Sequence, residues 1–109
     1  MLKIAFAPEY VLPLPVNHRF PISKYELIPL QLLHEGTATA DNFFEPKILD
    51  PEIVALTHTR AYIQRLQNLE MTASEMRKIG FPQTPELMKR EFIIAGGTLE
   101  CCEFAGQFG

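Results

Sequence analysis

The sequence predicts a helix-rich α/β fold with an under-built sheet, one or two strands set against four or five helices. Three observations lead there. The chain opens on a short apolar run, Leu2 to Ala7, stopped by Pro8, which reads as a buried strand rather than a helix. Helix starts then recur behind capping residues, at Ser23, Asp50-Pro51, Thr72 and Thr84-Pro85. The last of these opens the longest helix, which carries Gly96 and Gly97 in its middle. Each glycine costs a helix interior about 1 kcal/mol relative to alanine. Two together call for close approach to another backbone, and a helix of that kind wants a larger neighbour than one or two strands.

Taken in order, Pro8 to Pro21 carries four prolines and little periodicity, which predicts an extended loop. Ser23 and Glu26 have capping-box spacing, and Tyr25, Ile28, Leu32 and Leu33 recur on one face of the helix that follows. Gly36 ends that helix, and Pro29 inside it should kink it or break it into a pair of turns. Asn42 to Ile48 suits a second short strand, with Pro46 pointing to an edge or a strand end. Asp50-Pro51 starts a short helix through about Leu56, and another begins near Thr57 with Tyr62, Ile63, Leu66 and Leu69 facing a core. Thr72 and Glu75 form a further capping box, and Gly80 closes its helix. The long helix runs from Thr84-Pro85 to about Ala105, with Leu87, Ile94, Leu99 and Cys102 as its expected buried stripe.

At 109 residues the chain is one domain at most, and its 47% hydrophobic content is that of a globular protein. A formal net charge of −3 and the lack of any basic run exclude a phosphate-tracking nucleic-acid surface. The apolar runs are too short to span a bilayer. The N-terminus has no signal-peptide core, since Glu9 and prolines interrupt it by Pro15, and a cytoplasmic protein is expected. Cys101 and Cys102 are adjacent in a helix, so a disulfide between them would be strained, and both read as small buried apolar residues.

The titratable residues assemble no recognisable chemistry. His18, His34 and His58 fit no HExxH spacing, and no serine sits in a GxSxG elbow. Neither cysteine has an activating base nearby in sequence. His58-Thr59 suits side-chain hydrogen bonding at a helix start, and His18 suits fixing the proline loop or shaping a pocket rim. No ExxH pair suggests a di-iron bundle, and the glycine pair lacks the lysine and serine of a phosphate loop.

The order of landmarks nevertheless resembles the N-terminal part of the histone-deacetylase family. A first strand ends in Pro8-Glu9-Tyr10; a loop with His18 leads to Lys24 at a helix start; Asp50 opens the helix before His58-Thr59 and Tyr62; a proline turn leads to a helix with Gly96-Gly97-Thr98. The segment HRFPISKY, from His18 to Tyr25, is closer to class IV and bacterial deacetylases, with their acetylpolyamine and acetoin-utilisation relatives, than to the eukaryotic class I enzymes. The arginase branch, with two manganese ions, fits less well because its early histidine and aspartate landmarks are absent.

This resemblance implies the arginase/deacetylase three-layer sandwich, with the one or two strands parallel, and zinc-dependent hydrolysis of acetyl amides, on acetyl-lysine or a related acylated amine. The metal ligands and paired histidines would fall beyond Gly109, so no catalytic residue and no bound zinc is expected in this chain. Residues 1–109 then form a single incomplete domain whose partner is the C-terminal part of the same protein. Lys24 stands where the family lines an internal channel that handles an anionic product, Phe6 where the first strand lines the same cavity, and His18 near the pocket rim. A different class of function also fits: a small helical binding or regulatory module that self-associates through an exposed apolar face, expected on the glycine-containing helix.

Overall fold

A computed structural model of the chain describes residues 1–108. Strand β1 spans Ile4–Ala5 and β2 spans Phe43–Phe44; they pair in parallel, Ile4 opposite Phe43 and Ala5 opposite Phe44. A parallel pair needs a crossover, and α1, Lys24–Glu35, lies within it. Four further helices follow: α2 Pro51–Val54, α3 Arg60–Gln67, α4 Ala73–Ile79 and α5 Pro85–Phe108. The helix-rich α/β class is as expected, with both strands shorter than their sequence segments. Leu2 spends its carbonyl on the Asn42 side chain at 2.9 Å, and Pro8 turns the chain into a single 3₁₀ turn, Pro8–Tyr10. Past Phe44, Pro46 has no N–H to continue the ladder.

Side chains alternate across the pleat, and this sorts the helices onto two faces. Ala5 and Phe44 face α5: an added Cβ on Gly97 would lie 3.1 Å from the Ala5 Cβ, and Phe44 meets Phe104 edge to face at 5.0 Å. Phe6 and Phe43 border a depression shared with Pro29, Leu30 and Leu33 of α1. The two strands therefore lie between α1 and α5. Gly96 and Gly97 do what their cost implied. Gly96 is closed over by the backbone of Lys47 and Leu49, and Gly97 by the Tyr10 hydroxyl, Ala5 and Pro46. The Leu49 N–H also donates to the Phe92 carbonyl at 3.1 Å, tying the segment after β2 to α5.

The face of the glycine helix expected to await a partner is thus filled by the chain itself. Its buried stripe is Leu87, Arg90, Ile93, Gly96 and Gly97, not Leu87, Ile94, Leu99 and Cys102. Leu99 is exposed, Cys102 is exposed and Cys101 only half-buried, so the cysteines are not core residues. The glycines fix the phase, because the helix must turn its backbone, not its larger side chains, toward the strands.

Several elements differ locally from these expectations. Ser23 is already helical at φ −61°, ψ −20° and caps nothing; the turn at Pro21-Ile22 supplies the first acceptors, Lys24 N–H donating to Pro21 and Tyr25 N–H to Ile22. α1 runs unbroken through Pro29. Of its predicted apolar face only Tyr25 and Leu32 are half-buried, while Ile28 and Leu33 are exposed. α2 stops at Val54, and α3 begins only at Arg60, because Thr59 takes the cap and accepts from the Tyr62 N–H at 3.2 Å. Ile63 alone of the α3 stripe is buried; Tyr62 and Leu69 are exposed, with Leu69 at φ 58°. The Asp50 cap, the Thr72–Glu75 capping box and the left-handed Gly36 and Gly80 stand as expected.

Candidate functional site

The residues singled out from sequence, Phe6, His18 and Lys24, come together on one continuous chain of aromatic rings. Phe6 meets Tyr10 edge-on at 6.2 Å, Tyr10 meets Tyr25 at 6.4 Å, and Tyr25 lies parallel to Phe20 at 6.2 Å. Phe20 then meets Phe81 at 5.2 Å, and Phe81 stacks on the His18 ring at 5.1 Å. The rings come from the end of β1, the proline loop, α1 and the turn after α4. Their inner end joins the small core formed by Ala7, Tyr10 and Ile93.

Two cations converge on Tyr25. The Lys24 ammonium lies 4.9 Å from the Phe20 centroid and 5.4 Å from that of Tyr25, and the Arg90 guanidinium carbon lies 4.8 Å from the Tyr25 centroid. Ring faces carry partial negative charge, so both are held by cation–π attraction. Lys24 is exposed, whereas Arg90 is 5% exposed. Arg90 Nε donates to the Tyr10 carbonyl at 2.9 Å, and Nη1 donates to Glu91 at 3.0 Å. Arg90 is the residue that sequence reasoning missed. Its signal was available, since it stands three residues after Leu87 and three before Ile93, on the phase the glycines impose.

The groups around this cluster are tuned by simple causes. Burial pushes the Tyr10 phenol up, with the nearby Cys101 and Glu100 adding to the rise. Glu9, beside it in the 3₁₀ turn, is held below the usual carboxylate range by its own backbone N–H and by Lys89, at 3.4 Å. His18 spends both ring nitrogens: Nδ1 accepts from the Phe20 N–H at 3.2 Å, which leaves Nε2 to donate to the Gly80 carbonyl at 2.7 Å. It therefore pins the proline loop to the end of α4 and positions Phe20 under Lys24. His58 lies apart, tilted against Tyr62 at 5.3 Å in an open apolar cleft of about 410 Å³ between α3 and α5.

Chemically, the cluster is an aromatic wall with one buried and one exposed cation, suited to an anionic or π-rich group. No group of three or more histidine, cysteine, aspartate or glutamate side chains comes together with metal-holding geometry among the described residues. No described helix is long and apolar enough to cross a membrane.

No family model matches the chain. It is similar to an uncharacterized protein of Picosynechococcus sp., 28% identical over 106 residues, an alignment covering 97% of this chain and 35% of that protein. The chain therefore spans about a third of the length of the relative it matches.

Proposed function

We propose that this chain is the N-terminal part of a zinc-dependent deacetylase of the arginase/deacetylase fold, acting on acetyl-lysine or a related acylated amine in the cytoplasm. The observation that carries the proposal is that two landmarks of the resemblance, far apart in sequence, fit into one another. Tyr10 of the Pro8-Glu9-Tyr10 turn places its hydroxyl 2.8 Å from where a Gly97 Cβ would be, so the turn and the Gly96-Gly97-Thr98 helix share one tightly packed junction. A parallel strand pair between two helices is also the starting unit of a three-layer sandwich. The relative's greater length supports a partner in the remaining part of the same protein.

A zinc ion, bound by residues outside this chain, would polarise the acetyl carbonyl and bring the pKa of its bound water near 7. This chain's part is peripheral. Lys24 and Arg90, gathered on Tyr25, supply positive charge for the anionic acid product, Lys24 as a mobile point charge and Arg90 as a fixed one. Phe6 and the rings beyond it form the apolar wall of that passage, and His18 holds the loop that carries Phe20.

The test is zinc content together with hydrolysis of a fluorogenic acetyl-lysine peptide, on the 109-residue chain and on a gene product extending past Gly109. Activity with stoichiometric zinc in the longer protein alone is the expected result. Zinc-dependent activity in the 109-residue chain would overturn the placement of the ligands. Inactivity of both would favour the second reading, a self-associating helical module, for which the exposed apolar residues of α1 speak.

A further inference from the structure

α1 is apolar on both sides, yet only one side is covered. Tyr25, Pro29 and Leu32 turn toward the strands and are half-buried, while Leu27 on the opposite side is 57% exposed and Leu30, between that side and the depression at Phe6 and Phe43, is 55% exposed. A helix apolar all round is one suited to burial. On the outer side Ser23, Leu27, Leu30 and His34 succeed one another at steps of four, three and four, the spacing that keeps one seam toward a partner helix. These residues line a shallow groove together with Lys24, Ile28 and Gln31.

The charges beside the seam identify the occupant. Lys24 flanks it at the N-terminal end and has no carboxylate within ion-pair distance among the described residues. Glu35 flanks the same side at the C-terminal end, where it accepts from the Gln31 side chain and has no cation within ion-pair distance among the described residues. Running a second α1 antiparallel along the seam sets Leu27 of one copy against Leu30 of the other. The same two-fold places Lys24 beside Glu35 of the second copy, and both contacts occur twice. One patch meeting itself in this way is the signature of an isologous dimer.

We propose that the outer face of α1 is a self-association surface, on which a second copy of this chain docks its own α1 antiparallel about a two-fold axis between Leu27 and Leu30. This gives the self-associating reading its surface and its occupant, and it does not depend on the deacetylase reading. The seam is short compared with a standard interface, so the dimer is concentration-dependent rather than permanent.

Sedimentation equilibrium of the 109-residue chain over a wide concentration range tests it. A monomer–dimer equilibrium is expected. Leu30→Lys, at a position the monomer leaves in water, should abolish the dimer with the circular dichroism unchanged. Leu30→Ala, which keeps a good helix former, should weaken it by roughly tenfold or more. Lys24→Glu and Glu35→Lys should each weaken the dimer, and the double charge swap should restore it. Each single change improves the match to the α1 dipole, so an effect on the lone helix would run the opposite way. A monomer at every concentration, or a dimer indifferent to Leu30→Lys, would overturn the proposal. Single changes that weaken the dimer without rescue by the swap would overturn the antiparallel arrangement.

Discussion

Gly96 decides how closely α5 approaches the segment after β2. A Cβ there would collide with the Lys47 carbonyl oxygen and come within 3.2 Å of the Leu49 nitrogen, both backbone atoms with little room to yield. Gly96→Ala should therefore destabilise the chain by about 2 kcal/mol or more, although alanine is the better helix former. Gly106→Ala, in the same helix with nothing within 4 Å, should be neutral or stabilising by up to about 1 kcal/mol. Urea denaturation of the two variants checks the pair. The need for close approach was legible in the glycines themselves. The exposure of Cys102 was not, because a helix with apolar residues at Phe92, Ile93, Ile94, Leu99, Cys101 and Cys102 has no sharp phase of its own. Lys24, Phe6 and His18 were candidates through the resemblance to a family, not through any spacing of their own. The ring chain that joins them also needs Tyr10, Phe20 and Tyr25 from the neighbouring loop and helix and Phe81 from the turn after α4.

At the scale of the elements, boundaries were legible wherever a side chain caps a helix directly. Asp50 accepts from the Glu52 N–H at 2.9 Å, and Thr84 accepts from the Leu87 N–H at 3.1 Å. Ser23 misled because backbone carbonyls of the preceding turn had already taken the donors it would have met. The α4 capping box extends further than its sequence signature: Glu75 accepts from the Thr72 N–H at 3.2 Å and pairs with Arg65 of α3 at 2.6 Å. Arg65 first, and Thr72 after it, lower the Glu75 pKa from 4.5 to about 2. A carboxylate depressed in the folded state contributes stability that is present above the unfolded value and lost as pH falls through the folded one. The stabilising effect of Glu75 should therefore be full above pH 4.5 and fade toward about pH 2. Glu75→Gln keeps the capping box but not the charge. Its thermal midpoint should lie below that of the wild type at pH 7, with the two curves converging near pH 2, as a series of melts would read.

At the scale of the whole molecule the chain is open and flat. Its radius of gyration is 15.8 Å, against about 13 Å for a compact domain of this size. Its surface of 7572 Å² exceeds the roughly 6,100 Å² that a folded chain of 12.4 kDa exposes. No large side chain among the described residues falls below 2% exposure. The under-built sheet was legible from the strand count alone. The side on which apolar surface is left over was not, because that depended on α5 using its glycine face inward and α1 leaving Leu27 and Leu30 outward. Parallel sheets are ordinarily covered on both faces and extended by further strands, and β1 and β2 have two residues each. On the proposed deacetylase reading these strands begin a larger α/β layer. Amide hydrogen exchange at Ile4–Phe6 and Phe43–Phe44 decides this, in the 109-residue chain and in a gene product extending past Gly109. The strand amides should exchange readily in the short chain and become strongly protected in the longer one. Equal protection in both would mean that the two strands complete their own sheet, and that the chain is a self-contained module.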